Sequence, residues 1–187
     1  MPVSDEELVR QLAEAEQVAR HLRERLPEIR ALAARIRAAM AAGGKVLTCG
    51  NGGSAAEAAH LATELLGRYK SNRPALPAVA LNADGSLLTY IGNDFGYDEV
   101  FARQVAGLGR PGDLLLLFTS SGNSANLLAA AGAARASGVY TAAFLGKDGG
   151  RLRGRCDWEL LLPFNETARA QEGHLMAIHL LSELLED

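Results

Sequence analysis

Five consecutive apolar residues, Leu114-Leu115-Leu116-Leu117-Phe118, run straight into Thr119-Ser120-Ser121-Gly122-Asn123-Ser124. A strand without polar alternation has no face to show to water, so it belongs in a sheet covered on both sides. Strand-like runs at 45–49, 77–82, 113–118, 139–145 and 158–162 alternate with helical periodicity at 54–68, 84–92, 97–108, 124–137 and 166–186, with a short helical turn near 149–153. Alternating β and α units joined by right-handed crossovers imply an α/β fold, a three-layer αβα sandwich around a five-stranded parallel sheet. A chain of 187 residues has room for one such domain, over 45–187, and for one appendage.

The appendage is a helical hairpin over 1–44. Ser4 and Glu7 form a capping box, and Leu8, Leu12, Ala15, Ala19, Leu22 and Leu26 then recur as a narrow seam. Pro27 suits the first turn of a second helix carrying Ile29, Leu32, Ile36 and Met40, which Gly43-Gly44 ends. Such a seam serves either packing on the same domain or pairing with another subunit in an oligomer interface.

Charge narrows the function classes. Nineteen Lys and Arg against 22 Asp and Glu give a net charge of −3, which argues against nucleic acid or a membrane surface as partner. No stretch approaches a membrane span, and the acidic opening Ser4-Asp5-Glu6-Glu7 is unlike a secretory signal, so a soluble, cytoplasmic protein is expected. Cys49 and Cys156 match no metal-binding or redox spacing and read as structural thiols.

In open α/β sheets ligands sit beyond the carboxyl ends of strands. Two loops leaving strands share a composition: Gly50-Asn51-Gly52-Gly53-Ser54 and Thr119-Ser120-Ser121-Gly122-Asn123-Ser124, each leading into a helix. Glycines admit close backbone approach, helix N-terminal amides point outward, and hydroxyls add neutral donors, which together make an anion cradle without lysine. Gly50-x-Gly52-x-x-Ala55 fits a relaxed dinucleotide fingerprint, but the next strand ends near Asn82, too far on for the ribose-binding acid, and no GxxxxGK[ST] occurs. Two hydroxyl-rich cradles suit a phosphorylated sugar, and no nucleotide cofactor is expected.

These segments and their neighbours resemble the sugar isomerase (SIS) family over essentially the whole chain, and within it the branch that acts on sedoheptulose 7-phosphate. The resemblance is carried by Gly50-Asn51-Gly52-Gly53-Ser54, His60 through Glu64 to Gly67-Arg68-Tyr69, Gly92-Asn93-Asp94-Phe95-Gly96, Ser120-Ser121-Gly122-Asn123-Ser124, Gly146-Lys147-Asp148-Gly149-Gly150, and Arg169-Ala170-Gln171-Glu172 followed by His174 and His179. It implies a homotetramer with active sites at subunit interfaces. It also implies conversion of sedoheptulose 7-phosphate to D-glycero-D-manno-heptose 7-phosphate through an enediol, the entry to activated heptoses of surface glycans such as lipopolysaccharide. Two other readings stay open: a non-catalytic member of the family that binds a partner such as the replication initiator, and an isomerase of another sugar phosphate. The silent relative lacks counterparts of Glu64 and His179, and both are present here.

A ketose–aldose isomerase needs a base near the carbons, an acid near the oxygens and a means of stabilising the enediolate. His60 and Glu64, four apart on a helix, share a face. The resemblance makes Glu64 the catalytic base and His179 its acid/base partner. It assigns substrate contacts to Asn51, Gly52, Gly53, Ser54, Arg68, Asn93, Asp94, Thr119, Ser120, Ser121, Asn123, Ser124 and Gln171. It further implies a zinc site from His60, Glu64, Gln171 and His179, a mixed donor set that zinc accepts. Residues 171 and 179 lie ~12 Å apart along a straight helix, so Gln171 reaches the same ion only from a frayed helix start or from another subunit.

Overall fold

The structure is a computed structural model and describes residues 3–186. Strands β1 (Val46–Gly50), β2 (Ala78–Ala80), β3 (Leu114–Thr119), β4 (Tyr140–Gly146) and β5 (Trp158–Leu162) form one parallel sheet in the order β2-β1-β3-β4-β5. Every position of β1 and β3 is buried. Burying each large apolar side chain contributes about 2 kcal/mol, and only the middle of the sheet is covered fully enough to collect that from every residue of the leucine run, which is where β3 lies. The expected strand at 77–82 contracts to three residues, because an edge strand pairs on one side only and the chain turns away at Asn82.

Helices cover both faces. On one, α3 (Gly53–Leu66) and α7 (Thr167–Leu184) pack with α1 (Asp5–Glu24) and α2 (Leu26–Ala41) over a core that includes Val18, Ile36, Leu61, Phe118, Phe144 and Ile178. On the other, α4 (Gly85–Phe95), α5 (Ala102–Leu108) and α6 (Ala125–Ala136) enclose Leu47, Ile91, Phe101, Leu115, Leu117 and Leu127. The helix expected over 97–108 divides into a 3-10 turn at Tyr97–Glu99 and α5. The turn expected near 149–153 is a 3-10 helix at Gly150–Leu152.

Half of the expected capping box forms: the Ser4 hydroxyl accepts the Glu7 amide N–H at 3.3 Å, while the Glu7 carboxylate is engaged by Arg10 and Gln11; Pro27 lies in the first turn of α2, as expected. The hairpin's buried face shares Leu22 with the expected seam and otherwise differs from it. Val18 and Leu22 enter the common core, and His21 Nε2 meets the Leu161 carbonyl at 2.9 Å. Leu8, Leu12 and Ala19 of the seam stay exposed, Leu12 at 69%. Both cysteines are free thiols, and burial pushes the thiol of Cys49 far above its ordinary range and that of Cys156 up to about 11, as inert structural thiols require. Among the described residues no helix is long and apolar enough to cross a membrane.

Candidate active site

β1 and β3 are neighbours, yet their crossovers run in opposite senses, β1 to β2 and β3 to β4, so α3 and α6 leave the sheet on opposite faces. The crevice between the two carboxyl ends is therefore a topological switch point, the place where open α/β sheets bind ligands. Both hydroxyl-rich loops open there, and they line one cavity of about 100 Å³ with Asn51, Ser54, Thr119, Ser120, Ser121 and Ser124. The two cradles are thus the two walls of a single site.

Local backbone sets those walls. Gly52 caps α3 with φ 57°, and Gly53 begins the helix against the amide of Gln171; a Cβ at Gly53 would stand 2.0 Å from its Nε2. In the second loop, Gly122 has φ 64° and packs so tightly on the Gly146–Gly150 turn that a Cβ would meet the Gly149 carbonyl at 1.8 Å. Thr119 Oγ1 accepts the Gly122 N–H at 3.0 Å, closing the turn. Ser124 is the N-cap of α6 but its hydroxyl makes no capping bond, which leaves it for a ligand. Asn123 is engaged within the protein: its amide donates to the Ser121 carbonyl and accepts from the Arg151 N–H, both at 3.0 Å, so it ties the loop to the following turn.

Farther along α3 lies a second cluster. Six residues at 1.5 Å per residue carry the helix about 9 Å from Ser54 to His60. There His60 Nε2 stands 3.1 Å from Glu64 Oε1 and 3.3 Å from His179 Nε2 of α7. The Tyr69 ring stacks on His179 with centroids 5.8 Å apart, which limits rotation of the imidazole. The Arg73 guanidinium donates to the Glu64 and Leu65 carbonyls and so fastens the end of α3 that carries the carboxylate. These supporting roles of Tyr69 and Arg73 escape sequence reasoning, since neither a lone aromatic nor a lone arginine past a helix end marks its partner elsewhere in the fold.

The remaining expected residues are placed less directly. Gln171, Glu57 and His60 share a cavity of about 300 Å³, between the cradle and the His60 cluster. α7 is continuous from Thr167, so Gln171 sits in a formed helix, not in the frayed start that would bring it to the ion of His179. Arg68 is exposed just beyond α3; Asn93 and Asp94 are exposed at the end of α4 and hydrogen-bond to each other at 2.7 Å. His174 is a core histidine, fully buried between Phe118 and Phe144 with Nδ1 3.3 Å from Glu57 Oε2.

The His60 cluster fits a metal. Donors bound tetrahedrally to zinc at ~2.0–2.1 Å stand about 3.3 Å from one another. One donor atom from each of His60, Glu64 and His179 falls within a common 4.8 Å span, and the pairs at 3.1 and 3.3 Å match the tetrahedral edge.

The chain has known relatives in both sequence and fold. The family described as SIS domain matches residues 12–146. Phosphoheptose isomerase of Alteromonas mediterranea is 51% identical over 152 residues, covering 80% of this chain and 77% of the relative. That of Akkermansia muciniphila is 50% identical over 145 residues, covering 78% and 77%. Among solved structures, a phosphoheptose isomerase from Francisella tularensis superposes with a TM-score of 0.93 at 34% identity, covering 99% of both chains. The enzyme from Neisseria gonorrhoeae gives 0.87 at 39% identity, covering 97% of both.

Proposed function

The chain belongs to the SIS domain family, and from that premise we propose that it is an isomerase interconverting sedoheptulose 7-phosphate and D-glycero-D-manno-heptose 7-phosphate. The observation that carries the reading is the placement of one anion-sized, hydroxyl-lined cavity and one His/Glu/His cluster at the two ends of the same stretch of α3. A phosphate held at one end presents the carbonyl end of its sugar to the other.

In this reading Ser120, Ser121 and Ser124 hold the phosphate with the amides of the two helix starts, while Asn51 and Ser54 bind phosphate or hydroxyl oxygens. Glu64 takes the proton from one carbon and returns it to its neighbour through the enediol. It has two carboxylate oxygens, so one stands with His60 while the other serves the carbon. His179, held by Tyr69, passes the proton between the carbonyl and hydroxyl oxygens. Arg68, Asn93 and Asp94 are proposed to engage the sugar from the exposed rim, and Gln171 from the cavity beside Gly53.

His60, Glu64 and His179 would hold a zinc ion, with Gln171 as a fourth donor if a second subunit supplies it; zinc when bound supplies Lewis-acid polarisation of the substrate oxygens. The exposed Leu8 and Leu12 of α1 support assembly into a homo-oligomer, with the tetramer as the expected form. An enzyme of sugar phosphates works where those anions are retained, which supports a cytoplasmic location, at the entry to heptoses of lipopolysaccharide or another surface glycan. Joint presence of Glu64 and His179 speaks against a silent partner-binding role.

The test is incubation of the purified protein with sedoheptulose 7-phosphate, with and without zinc, following aldose formation. Turnover that Glu64→Gln removes supports the reading. Absence of turnover in both conditions overturns it.

A further inference from the structure

Asn51 does not face the cradle alone. Its Nδ2 donates to Asn126 Oδ1 at 2.9 Å, and Asn126 Nδ2 donates back to Asn51 Oδ1 at 2.9 Å. Tyr97 adds a third bond, its hydroxyl donating to Asn51 Oδ1 at 3.2 Å. Asn126 lies in the first turn of α6, the helix opened by the second loop, and is only 2% exposed. An amide buried to that degree is costly without partners, so the reciprocal pair is enforced by burial and locks one wall of the cavity to the other.

The geometry also decides what Asn51 offers. An amide oxygen has two lone pairs, and here both are occupied, one by Asn126 and one by Tyr97. The amide nitrogen has two hydrogens, of which Asn126 takes one. Asn51 therefore presents one N–H to the cavity and no free acceptor. That is the polarity suited to a phosphoryl or other anionic oxygen and unsuited to a donor.

We propose that Asn126, assisted by Tyr97, is a positioning residue that orients Asn51 as an obligate donor to an anionic oxygen of the substrate and couples the two loops. The proposal rests on the isomerase reading, which supplies the assay. Loss of a donor to a charged oxygen is expected to raise KM for sedoheptulose 7-phosphate about ten-fold in Asn126→Leu, with kcat changed far less, because an interaction away from the reacting carbons acts equally in ground and transition states. A residue acting only through Asn51 adds nothing once Asn51 is gone, so Asn51→Ala with Asn126→Leu should match Asn51→Ala alone.

Tyr97 is 61% exposed, so Tyr97→Phe repeats the test without disturbing the core. It should raise KM about three-fold in the native background and not at all in Asn51→Ala. Additive losses in either cycle, or an unchanged KM in Tyr97→Phe and in any folded Asn126→Leu, overturn the proposal while leaving the isomerase reading intact. A wild-type protein without turnover overturns both.

Discussion

The Nε2 atoms of His60 and His179 stand 3.3 Å apart although 119 positions separate them in the chain. α3 and α7 pack side by side on one face of the sheet, and the imidazoles meet where Glu64 joins them from the next turn of α3. A cation between two imidazole nitrogens at that distance is bound by both, so the cluster has the spacing to hold an ion.

With Glu64 as the base, Glu64→Gln keeps the shape of the side chain and removes proton transfer. kcat for aldose formation should fall about 100- to 10,000-fold, while the melting temperature stays near that of the wild type. Residual turnover within a few-fold of the wild type would assign the base elsewhere.

Metal content gives an independent check. Protein loaded with zinc and dialysed against metal-free buffer should retain about one ion per chain, measured by mass spectrometry, and His60→Ala and His179→Ala should retain almost none. Full retention in both variants would remove this cluster as the binding site.

For the cradle, Ser121→Ala with Ser124→Ala should raise KM for sedoheptulose 7-phosphate by about ten-fold or more with little change in kcat, the signature of uniform binding lost. Both serines line the cavity between the loops. Steady-state kinetics with an unchanged KM would place the phosphate outside that cavity.

Away from the site, Asp113 joins the starts of β1 and β3. Burial pushes its carboxyl up, but hydrogen bonds from the Lys45 ammonium at 2.5 Å, the Lys45 N–H at 2.9 Å and the Arg110 N–H at 2.8 Å outweigh this and hold it below its ordinary value. A carboxyl depressed in the folded state adds stability that is fully present above the unfolded value, ~3.9, and is lost as pH falls through the folded one. Asp113→Asn should therefore cost about 2 kcal/mol in urea unfolding at pH 7 and progressively less on acidification below pH ~4. An equal cost at both ends of that range would exclude the ionised pair as the cause.

Assembly is tested on α1. Leu8 and Leu12 are 49% and 69% exposed on the chain alone, while the buried side of the same helix is already satisfied by Val18 and Leu22. Leu8→Glu with Leu12→Glu should lower the sedimentation coefficient at micromolar protein without altering the circular dichroism. An unchanged oligomer would move the interface off this row.

Much of this is legible from local pattern. Unbroken apolar runs mean strands covered on both faces, glycine and serine after a strand mean a loop shaped for an anion, and four-residue spacing puts His60 and Glu64 on one helical face. The hairpin seam is harder: Leu8, Leu12 and Ala19 share the periodicity of a buried stripe with Leu22, but the face that docks is set by what α7 presents, and of the seam only Leu22 is buried, beside Val18. The resemblance assigns Asn123 to the substrate, and the structure gives its amide a second task no local pattern shows, accepting the Arg151 N–H and so tying the loop to the following turn.

Amino-acid order dictated the layers and the strand count, because those follow from periodicity within a dozen residues, while the residues expected to do chemistry were implied by the resemblance to the SIS family. Only the tertiary structure decided that Ser54 and Ser124, each on its own loop and far apart in the chain, line one cavity, and that the Nε2 atoms of His60 and His179 stand 3.3 Å apart. Strand order and helix packing are long-range choices, fixed by which faces bury best against each other, and no local spacing encodes them.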